Sequence, residues 1–284
     1  MNRFAPLAIT AALLTLSALP LAAQAPALKT TEFGRGPTVV LVHGLGSGRM
    51  QWMPTARKLL AGYHVVMVDL PGHGDSAMPD PFTLNVAAAA LDQVLARQKA
   101  ESTIVVGQGM GGSIAVLAVQ AHPEHVRGVI AIDATLRSPF NDIPDQQKKY
   151  FSDYLVEATN EQYAEFLKQS FSRQVRDSSQ AIEVNARAAM VPRTSMTAYL
   201  KELLYFDVSR QMKDFKTPLL YVGSSRAWSD TTRWAVVAKE RGYEMATGVT
   251  TRRIANSGSQ IASDQPDSLA SAIDGFARQV LAAK

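Results

Sequence analysis

The sequence predicts an α/β domain with a mostly parallel central sheet, and three observations support this prediction. Short β-branched runs alternate with helical segments along most of the 284 residues. Each run is short and apolar, as strands buried on both faces of a sheet are. Most runs end at a glycine or an aspartate, where a loop begins. Right-handed crossovers would place helices on both faces, with functional residues where the strands end.

Six strands are predicted in chain order. They are Thr38–Val42, His64–Leu70, Thr103–Val106, Val126–Ile132, Pro218–Val222 and Val249–Ile254. The clearest helical segments flanking them are Met53–Leu60, Leu84–Gln98, Ser113–Gln120, Thr231–Glu240 and Leu269–Ala282. Strands separated by helices of this length favour parallel pairing through crossover connections.

One segment, from Ser138 to Asp214, breaks the alternation because it contains no convincing strand. The segment carries many of the chain's charged residues on the polar faces of its helices. Four helices are predicted in it: Asp145–Ala158, Glu161–Gln174, Gln180–Met190 and Ser195–Phe206. We therefore expect a helical insertion at about residues 138–214 that covers one end of the sheet.

The composition excludes several classes of protein. With 46% hydrophobic residues, the chain has ample apolar material for a core, which excludes a disordered protein. A net charge of +4, evenly spread, argues against a nucleic-acid partner. The absence of cysteine from the sequence excludes disulfides, a thiol nucleophile and cysteine-based metal sites.

The N-terminal residues have the layout of a secretory signal peptide. Arg3 provides a positive start, and an apolar run extends from there to Ala23. We expect residues 1–25 to be removed, leaving a secreted or periplasmic domain of residues 26–284 without a transmembrane anchor. Cleavage after Ala25 would leave Pro26 first, which signal peptidases disfavour, so cleavage after Ala23 is the alternative. An uncleaved membrane anchor is the competing interpretation of the same run.

Four motifs in the same order carry a family resemblance across residues 30–284. They are His43-Gly44-Leu45-Gly46, Asp69-Leu70-Pro71-Gly72-His73-Gly74, Gly107-Gln108-Gly109-Met110-Gly111-Gly112 and the stretch Asn256–Pro266. Together they resemble the α/β-hydrolase superfamily, in its cap-containing esterase or lipase-like branch. The third motif resembles the G-x-S-x-G nucleophile elbow at a strand-to-helix turn. The resemblance implies an α/β-hydrolase fold in which the helical insertion is a cap domain.

The three catalytic residues that the resemblance implies are substituted in this chain. Gly109 stands where the nucleophilic serine is expected, so this position has no nucleophile. Arg226 stands at the expected acid position, three residues after Gly223, and cannot orient or stabilise a histidine. Ser259 stands at the expected histidine position, seven residues before Pro266.

Other side chains could take over parts of this chemistry. Asp133 ends a predicted strand, where some members of the superfamily place their acid. None of the five histidines falls at the position of the base, and His43 and His73 are interpreted as structural. A metal site built from His43, His73 and Asp75 is the alternative use of these side chains. We nevertheless predict neither a metal nor a cofactor.

The resemblance also implies an oxyanion hole, which depends on backbone N–H groups rather than on side chains. It assigns this role to the Gly44-Leu45 segment and to Met110, which follows the elbow position. Met110 also opens a helix, whose N-terminus favours negative charge. Arg226 would either add a cation at this edge of the sheet or point into solvent.

Three hypotheses about function follow. The first is an exported pseudoenzyme without serine-hydrolase activity that binds a small ligand with a carbonyl or carboxylate group, or a protein partner. The second is an active hydrolase or lyase that uses non-standard residues. The third is a disabled variant of an active carboxylesterase, since three losses at three triad positions fit both decay and design.

Overall fold

The computed structural model of this protein describes residues 25–282, apart from the side chain of Ser178. The central sheet of this region contains seven strands: β1 (Thr30–Gly34), β2 (Thr38–Val42), β3 (His64–Val68), β4 (Thr103–Gln108), β5 (Gly128–Ile132), β6 (Leu219–Ser224) and β7 (Val249–Ile254). Their spatial order is β1-β3-β2-β4-β5-β6-β7. All neighbours pair in parallel except β1, which is antiparallel to β3. The predicted mostly parallel sheet is thus confirmed.

Helices connect the strands as the alternation predicts. The α-helices of the described region are α1 (Met53–Leu59), α2 (Leu84–Leu95), α3 (Met110–Ala121), α4 (Asp145–Glu157), α5 (Asn160–Phe171), α6 (Ser178–Met190), α7 (Arg193–Tyr205), α8 (Trp234–Arg241), α9 (Ile261–Asp264) and α10 (Pro266–Ala282). Each predicted helix corresponds to one of these, with boundaries that differ by a few residues. The short α9 was not predicted.

Two apolar layers cover the two faces of the sheet. Val40 of β2 and Val105 of β4 pack in the same layer as side chains of α2, α3 and α8. Their neighbours Val39 and Ile104 pack in the opposite layer with α1 and α10. Successive residues of a strand point to opposite faces, so strands covered on both sides must be apolar throughout. The continuous apolar runs in the sequence therefore reflect this double coverage.

Strand β1 was absent from the prediction. Its residues Thr30–Gly34 are half-buried or exposed, because the strand lies at the edge of the sheet. Thr30 pairs with Val68 and Gly34 with His64. An edge strand needs no continuous apolar run, so the hydrophobic pattern gave no signal here.

The segment 138–214 is helical, as predicted, and contains α4 to α7. Within it the structure assigns no strand, although Arg137 and Asp207 at its base form an isolated bridge. A separate apolar cluster holds α5, α6 and α7 together and includes Phe171 and Met196. The Tyr199 hydroxyl of α7 donates to the Pro71 carbonyl oxygen at 2.9 Å, which ties the segment to the loop after β3.

The predicted signal peptide falls on residues 1–25 and lies almost wholly outside the described residues. Within the described part of the chain, no helix combines the length and the apolar character needed to cross a membrane. The longest helix there is α10, with 17 residues.

Candidate functional site

Gly109 forms the turn between the end of β4 and the start of α3. Its φ is +52°, in the left-handed region that glycine enters without strain. The Gly109 N–H donates to the Ile132 carbonyl oxygen at 2.7 Å, which anchors the turn to β5. No heavy atom lies within 4 Å of the position that a Cβ at residue 109 would occupy. A side chain here would have room, but its backbone would remain in a disfavoured conformation.

The glycines around this turn have the opposite environment. A Cβ on Gly111 would overlap the backbone carbonyl oxygen of His43. A Cβ on Gly107 would overlap the backbone of Gly111. These positions need glycine because backbone packs directly on backbone there. The contact brings the N-terminus of α3 against the loop that follows β2.

His43 holds that loop in place. The Leu70 N–H donates to His43 Nε2 at 3.0 Å, so Nδ1 carries the proton and donates to the Gly44 carbonyl oxygen at 2.8 Å. In a planar trans peptide the C=O and the next N–H point in opposite directions. The Leu45 N–H therefore points away from the His43 ring. Complete burial lowers the pKa of His43 to about 4, which keeps the imidazole neutral.

A cavity of about 210 Å³ lies at the carboxyl ends of the strands, beside this turn. Its walls come from the loops after β2, β4, β5 and β7, from α8 and from the helical segment. The lining residues are Gly44, Leu45, Gln108, Gly109, Met110, Asp133, Gln174, Arg241, Ser259 and Gln260. Met110 is the first residue of α3, so its N–H has no acceptor within the helix. The structure thus brings together the positions predicted for the elbow, the backbone donors, the alternative acid and the base.

Arg226 does not line this cavity. It follows β6 in a turn, and its side chain is exposed. Of the two uses expected for Arg226, a cation at this edge of the sheet or a side chain in solvent, the exposed position fits the second. The cation in the cavity is Arg241, the last residue of α8, whose Nη1 donates to the Asp133 carbonyl oxygen at 3.1 Å. The sequence carried no signal for Arg241, because its position depends on how α8 packs.

Asp133 is the buried acid of the cavity, and its backbone has a φ of +46°. Its carboxylate accepts hydrogen bonds from the Ser224 N–H at 2.8 Å and from the Ser224 hydroxyl at 2.5 Å. Burial raises the pKa of Asp133, while the hydrogen bonds from Ser224, the charge of Arg241 and a side-chain hydrogen bond from Ser259 oppose this shift. The carboxylate therefore lies beside the side chain of residue 259. The acid adjacent to the predicted base position is Asp133, rather than the residue at position 226.

Glutamine side chains complete the walls. Gln108 Nε2 donates to the Ser259 carbonyl oxygen at 2.7 Å, and Gln51 Nε2 donates to Gln108 Oε1 at 3.2 Å. Gln260 Nε2 donates to Gln174 Oε1 at 3.0 Å, which links the loop after β7 to the 3-10 turn that follows α5. Within the described residues, the buried Gln260 Oε1 has no hydrogen-bond partner. Gln108 and Gln260 lie in the predicted motifs, whereas Gln51 and Gln174 had no sequence signal.

The alternative metal site of His43, His73 and Asp75 is not assembled. Both ring nitrogens of His43 are engaged by backbone groups. His73 Nδ1 donates to the Pro71 carbonyl oxygen at 3.1 Å, and burial lowers the pKa of His73 to about 3. Asp75 instead forms an ion pair with Arg49 at 2.7 Å on the surface. The structural interpretation of His43 and His73 fits these contacts.

The central sheet is mostly parallel, and a glycine turn with positive φ connects β4 to α3. These two features place the protein in the class of hydrolase-like α/β proteins. A family model described as alpha/beta hydrolase fold matches residues 37–213. The chain belongs to the α/β-hydrolase fold family, and its sequence relatives include esterases.

Two sequence relatives share one name. The pimeloyl-[acyl-carrier protein] methyl ester esterase of Pseudoalteromonas atlantica is 28% identical over 204 residues, covering 68% of this chain and 76% of that protein. The protein of the same name from Neisseria meningitidis serogroup C is 30% identical over 138 residues, covering 48% of this chain but only 52% of its own length.

A solved structure shows the same fold. The esterase from Thermogutta terrifontis superposes with a TM-score of 0.73 at 19% identity, covering 89% of this chain and 93% of that one. At this level of identity the likeness concerns the fold rather than the activity.

Proposed function

We propose that this protein binds a small ester- or acid-bearing ligand in the cavity beside Gly109 and does not hydrolyse esters by serine chemistry. The observation that carries the proposal is the turn itself. It has the backbone of a nucleophile elbow and open space above it, but Gly109 has no side chain that could attack a carbonyl carbon. The same missing group also excludes a covalent acyl intermediate at this position.

The loss of the nucleophile affects turnover far more than it affects ligand binding. In a serine hydrolase, removing the nucleophile lowers turnover by on the order of 10⁶. This corresponds to about 8 kcal/mol of lost transition-state stabilisation. Backbone donors and binding alone still leave roughly 10³–10⁴ over the uncatalysed reaction. We therefore expect weak residual hydrolysis rather than none.

The chemistry of the walls supports a ligand with a carbonyl or carboxylate group. The N–H of Met110 opens α3 and favours negative charge, and the Leu45 N–H provides a second backbone donor at the same cavity. Arg241 adds a guanidinium. At about 30 Å³ per water molecule, the cavity has room for about seven waters or an organic group of that size. The relatives named as methyl ester esterases favour an ester or its acid as this group.

A second candidate function rests on Asp133. This buried carboxylate lines the same cavity as the backbone donors, and its pKa is raised by burial. A carboxylate with a raised pKa can act as a general base and remove a proton from water. Such an enzyme would be an active hydrolase with non-standard residues, and its turnover would depend on Asp133 rather than on residue 109.

The test is steady-state hydrolysis of p-nitrophenyl acetate and butyrate by the purified protein and its Asp133→Asn variant. We expect both to show roughly equal residual rates, at most roughly 10³–10⁴ above the uncatalysed reaction and far below the 1–10³ s⁻¹ that is typical of enzymes. Ordinary turnover that is lost in Asp133→Asn would overturn the proposal in favour of the second candidate. Ordinary turnover in both proteins would overturn both proposals.

Ligand binding is measured separately by thermal denaturation with sodium butyrate and with methyl butyrate. A ligand that binds only the folded state raises the denaturation midpoint as its concentration increases. We expect this rise for the protein and a smaller rise for Arg241→Gln, which removes the guanidinium from the cavity. If neither compound raises the midpoint, the proposed ligand class is wrong.

We further propose that the ligand is met outside the cytoplasm, on the basis of the N-terminal apolar run and the small residues that follow it. Fractionation of cells that express the full chain tests this. Recovery of a shortened protein from the periplasm or the medium is the expected result, and an uncleaved cytoplasmic protein would contradict it.

A further inference from the structure

Two histidines and an aspartate meet at the end of α3 that is remote from the cavity. His122 follows the last residue of α3, and His125 ends the 3-10 turn Pro123–His125. Asp92 comes from the neighbouring helix α2. One ligand atom from each of the three side chains lies within 4.8 Å of the others. The cluster plays no part in the cavity, since the 12-residue helix α3 separates the two by about 18 Å.

The geometry points to a zinc site formed by Asp92, His122 and His125, which we propose as a second functional feature of this protein. Zinc binds imidazole nitrogens and carboxylate oxygens at about 2.0–2.2 Å, which places tetrahedral ligand atoms about 3.4 Å apart. The Asp92 carboxylate oxygens lie 2.7 Å from His125 Nδ1 and 3.8 Å from His122 Nε2. Binding a metal therefore requires only small side-chain movements.

The second nitrogen of His122 supports this assignment. His122 Nδ1 lies 3.1 Å from Glu124 Oε1, within hydrogen-bond distance. Metal-binding histidines commonly donate their other N–H to a carboxylate, which fixes the tautomer and turns the free lone pair towards the metal. With Nδ1–H donated to Glu124, the Nε2 lone pair faces the side chain of Asp92. A cation between the two would be attracted by both groups.

The surroundings make the site both ordered and accessible. The His122 and His125 rings stack, with centroids 5.2 Å apart and an angle of 17° between their planes. The Asp92 side chain is only 15% exposed, whereas the His122 side chain is half exposed. The surrounding protein therefore restrains Asp92, while solvent and a metal ion can reach His122. Three protein ligands leave the fourth position of a tetrahedral zinc for water.

The competing explanation is that a proton, rather than a metal ion, lies between His122 Nε2 and the Asp92 carboxylate. A doubly protonated His122 could donate to Glu124 and interact with Asp92 without any metal, and the cluster would then only join α2 to the turn after α3. The proposal requires in addition that zinc binds with all three side chains, which an ion-pair network does not predict. Zinc binding in solution distinguishes the two.

The experiment titrates the purified protein, produced without a polyhistidine tag and cleared of metal, with Zn²⁺ in competition with a chromophoric chelator. We expect one zinc per chain. His122→Gln, His125→Gln and Asp92→Asn should each weaken zinc binding at least tenfold. His64→Gln is the matched control, because His64 also faces a carboxylate, Glu32, at 3.5 Å, but residues 25–282 place no third ligand there. It should bind zinc as the unmodified protein does.

A second readout is the thermal denaturation midpoint, which saturating zinc should raise in the unmodified protein and in His64→Gln but not in His125→Gln. Circular dichroism without zinc verifies that each variant is folded, and Asp92→Asn replaces any histidine variant that is not. The proposal is wrong if the unmodified protein binds no zinc, if the three ligand variants bind it unchanged, or if His64→Gln weakens binding as much as they do.

Discussion

The two ends of α3 differ in what the fold and the side chains contribute. At the N-terminal end, backbone groups of Gly109 and Met110 shape a site of the kind found in hydrolases, but the turn carries no reactive side chain. At the C-terminal end, the side chains of His122 and His125 form, with Asp92, the cluster that we propose as a zinc site. The comparison shows that the fold fixes where backbone donors lie, while the chemistry depends on individual side chains.

The largest expected effect comes from restoring side chains at the N-terminal end. The double variant Gly109→Ser/Ser259→His places a hydroxyl above the turn and an imidazole at a position that contacts Asp133. We expect its hydrolysis of p-nitrophenyl butyrate to exceed that of the unmodified protein by on the order of 10³, or about 4 kcal/mol in activation free energy. Each single variant should show little of this gain, because the two residues act as a unit.

Two further substitutions in the double variant test which residue acts as the acid beside the new imidazole. Adding Arg226→Asp to the double variant should change the rate little, because residue 226 is exposed and lies outside the cavity. Adding Asp133→Asn should remove most of the gain, since the new imidazole would lose its acid. The opposite result, a gain that needs Arg226→Asp and tolerates Asp133→Asn, would show that the acid belongs at position 226.

The next largest effect concerns the close backbone packing at the same end. Gly111→Ala would place a Cβ against the carbonyl oxygens of His43 and Val42, and these are backbone atoms that cannot move aside as a flexible side chain can. We expect the free energy of unfolding to fall by about 3 kcal/mol, at the upper end of overpacking effects. Urea denaturation measures this value. A loss below about 1 kcal/mol would mean that α3 can move away from the loop after β2.

A third effect is a pH dependence that arises from the buried histidines at this end. Burial lowers the pKa of His43 to about 4 and of His73 to about 3, below the 6.5 of a free histidine. The unfolded chain therefore binds more protons at acidic pH, so stability is complete above about pH 6.5 and falls as the pH decreases towards 4 and 3. The slope should reach about 1.4 kcal/mol per pH unit for each histidine.

Urea denaturation at several pH values from 7.5 to about 4.5 measures that slope. In His73→Gln, which no longer titrates at this position, the free energy of unfolding should fall less steeply with decreasing pH than in the unmodified protein. Equal slopes in the two proteins would show that His73 is protonated in the folded state as readily as in the unfolded chain.

Much of the fold was accessible from the sequence because double coverage of the sheet forces continuous apolar runs. Five of the six predicted strands, β2 to β6, are buried runs of this kind, and the sixth, β7, is a mostly exposed edge strand. Strand β1, at the opposite edge, has half-buried or exposed residues and gave no such signal. The helical segment 138–214 was recognisable because its four helices interrupt the strand pattern.

The cavity was only partly predictable. Gly44, Leu45, Gly109, Met110 and Ser259 lie in motifs, and Asp133 directly follows a strand, so topology alone brings them to one edge of the sheet. Arg241 and Gln174 line the cavity through the packing of α8 and the helical segment, which no local pattern encodes. The cluster at the other end of α3 joins Asp92 of α2 to two histidines around the turn that follows α3, and no local sequence pattern encodes this contact between separate elements.

The smallest expected effect separates strain from crowding at the turn. Gly109→Ala adds a methyl group with nothing within 4 Å, so only the φ of +52° opposes it. Holding an alanine in this conformation, with φ of +52° and ψ of −120°, costs on the order of 1–3 kcal/mol, and reduced freedom of the unfolded chain returns about 0.4–1 kcal/mol. We expect a net loss of about 1 kcal/mol in the free energy of unfolding.

Gly275→Ala is the matched control, because Gly275 lies exposed within α10 with equally open space and no positive φ. There the same methyl group should stabilise the protein by about 0.5–1 kcal/mol, as alanine does in helix interiors. The difference between the two variants then measures the conformational cost that any side chain at position 109 must meet. If Gly109→Ala proved as stabilising as Gly275→Ala, the turn would not impose its left-handed backbone on residue 109, and the elbow geometry would depend on the glycine itself.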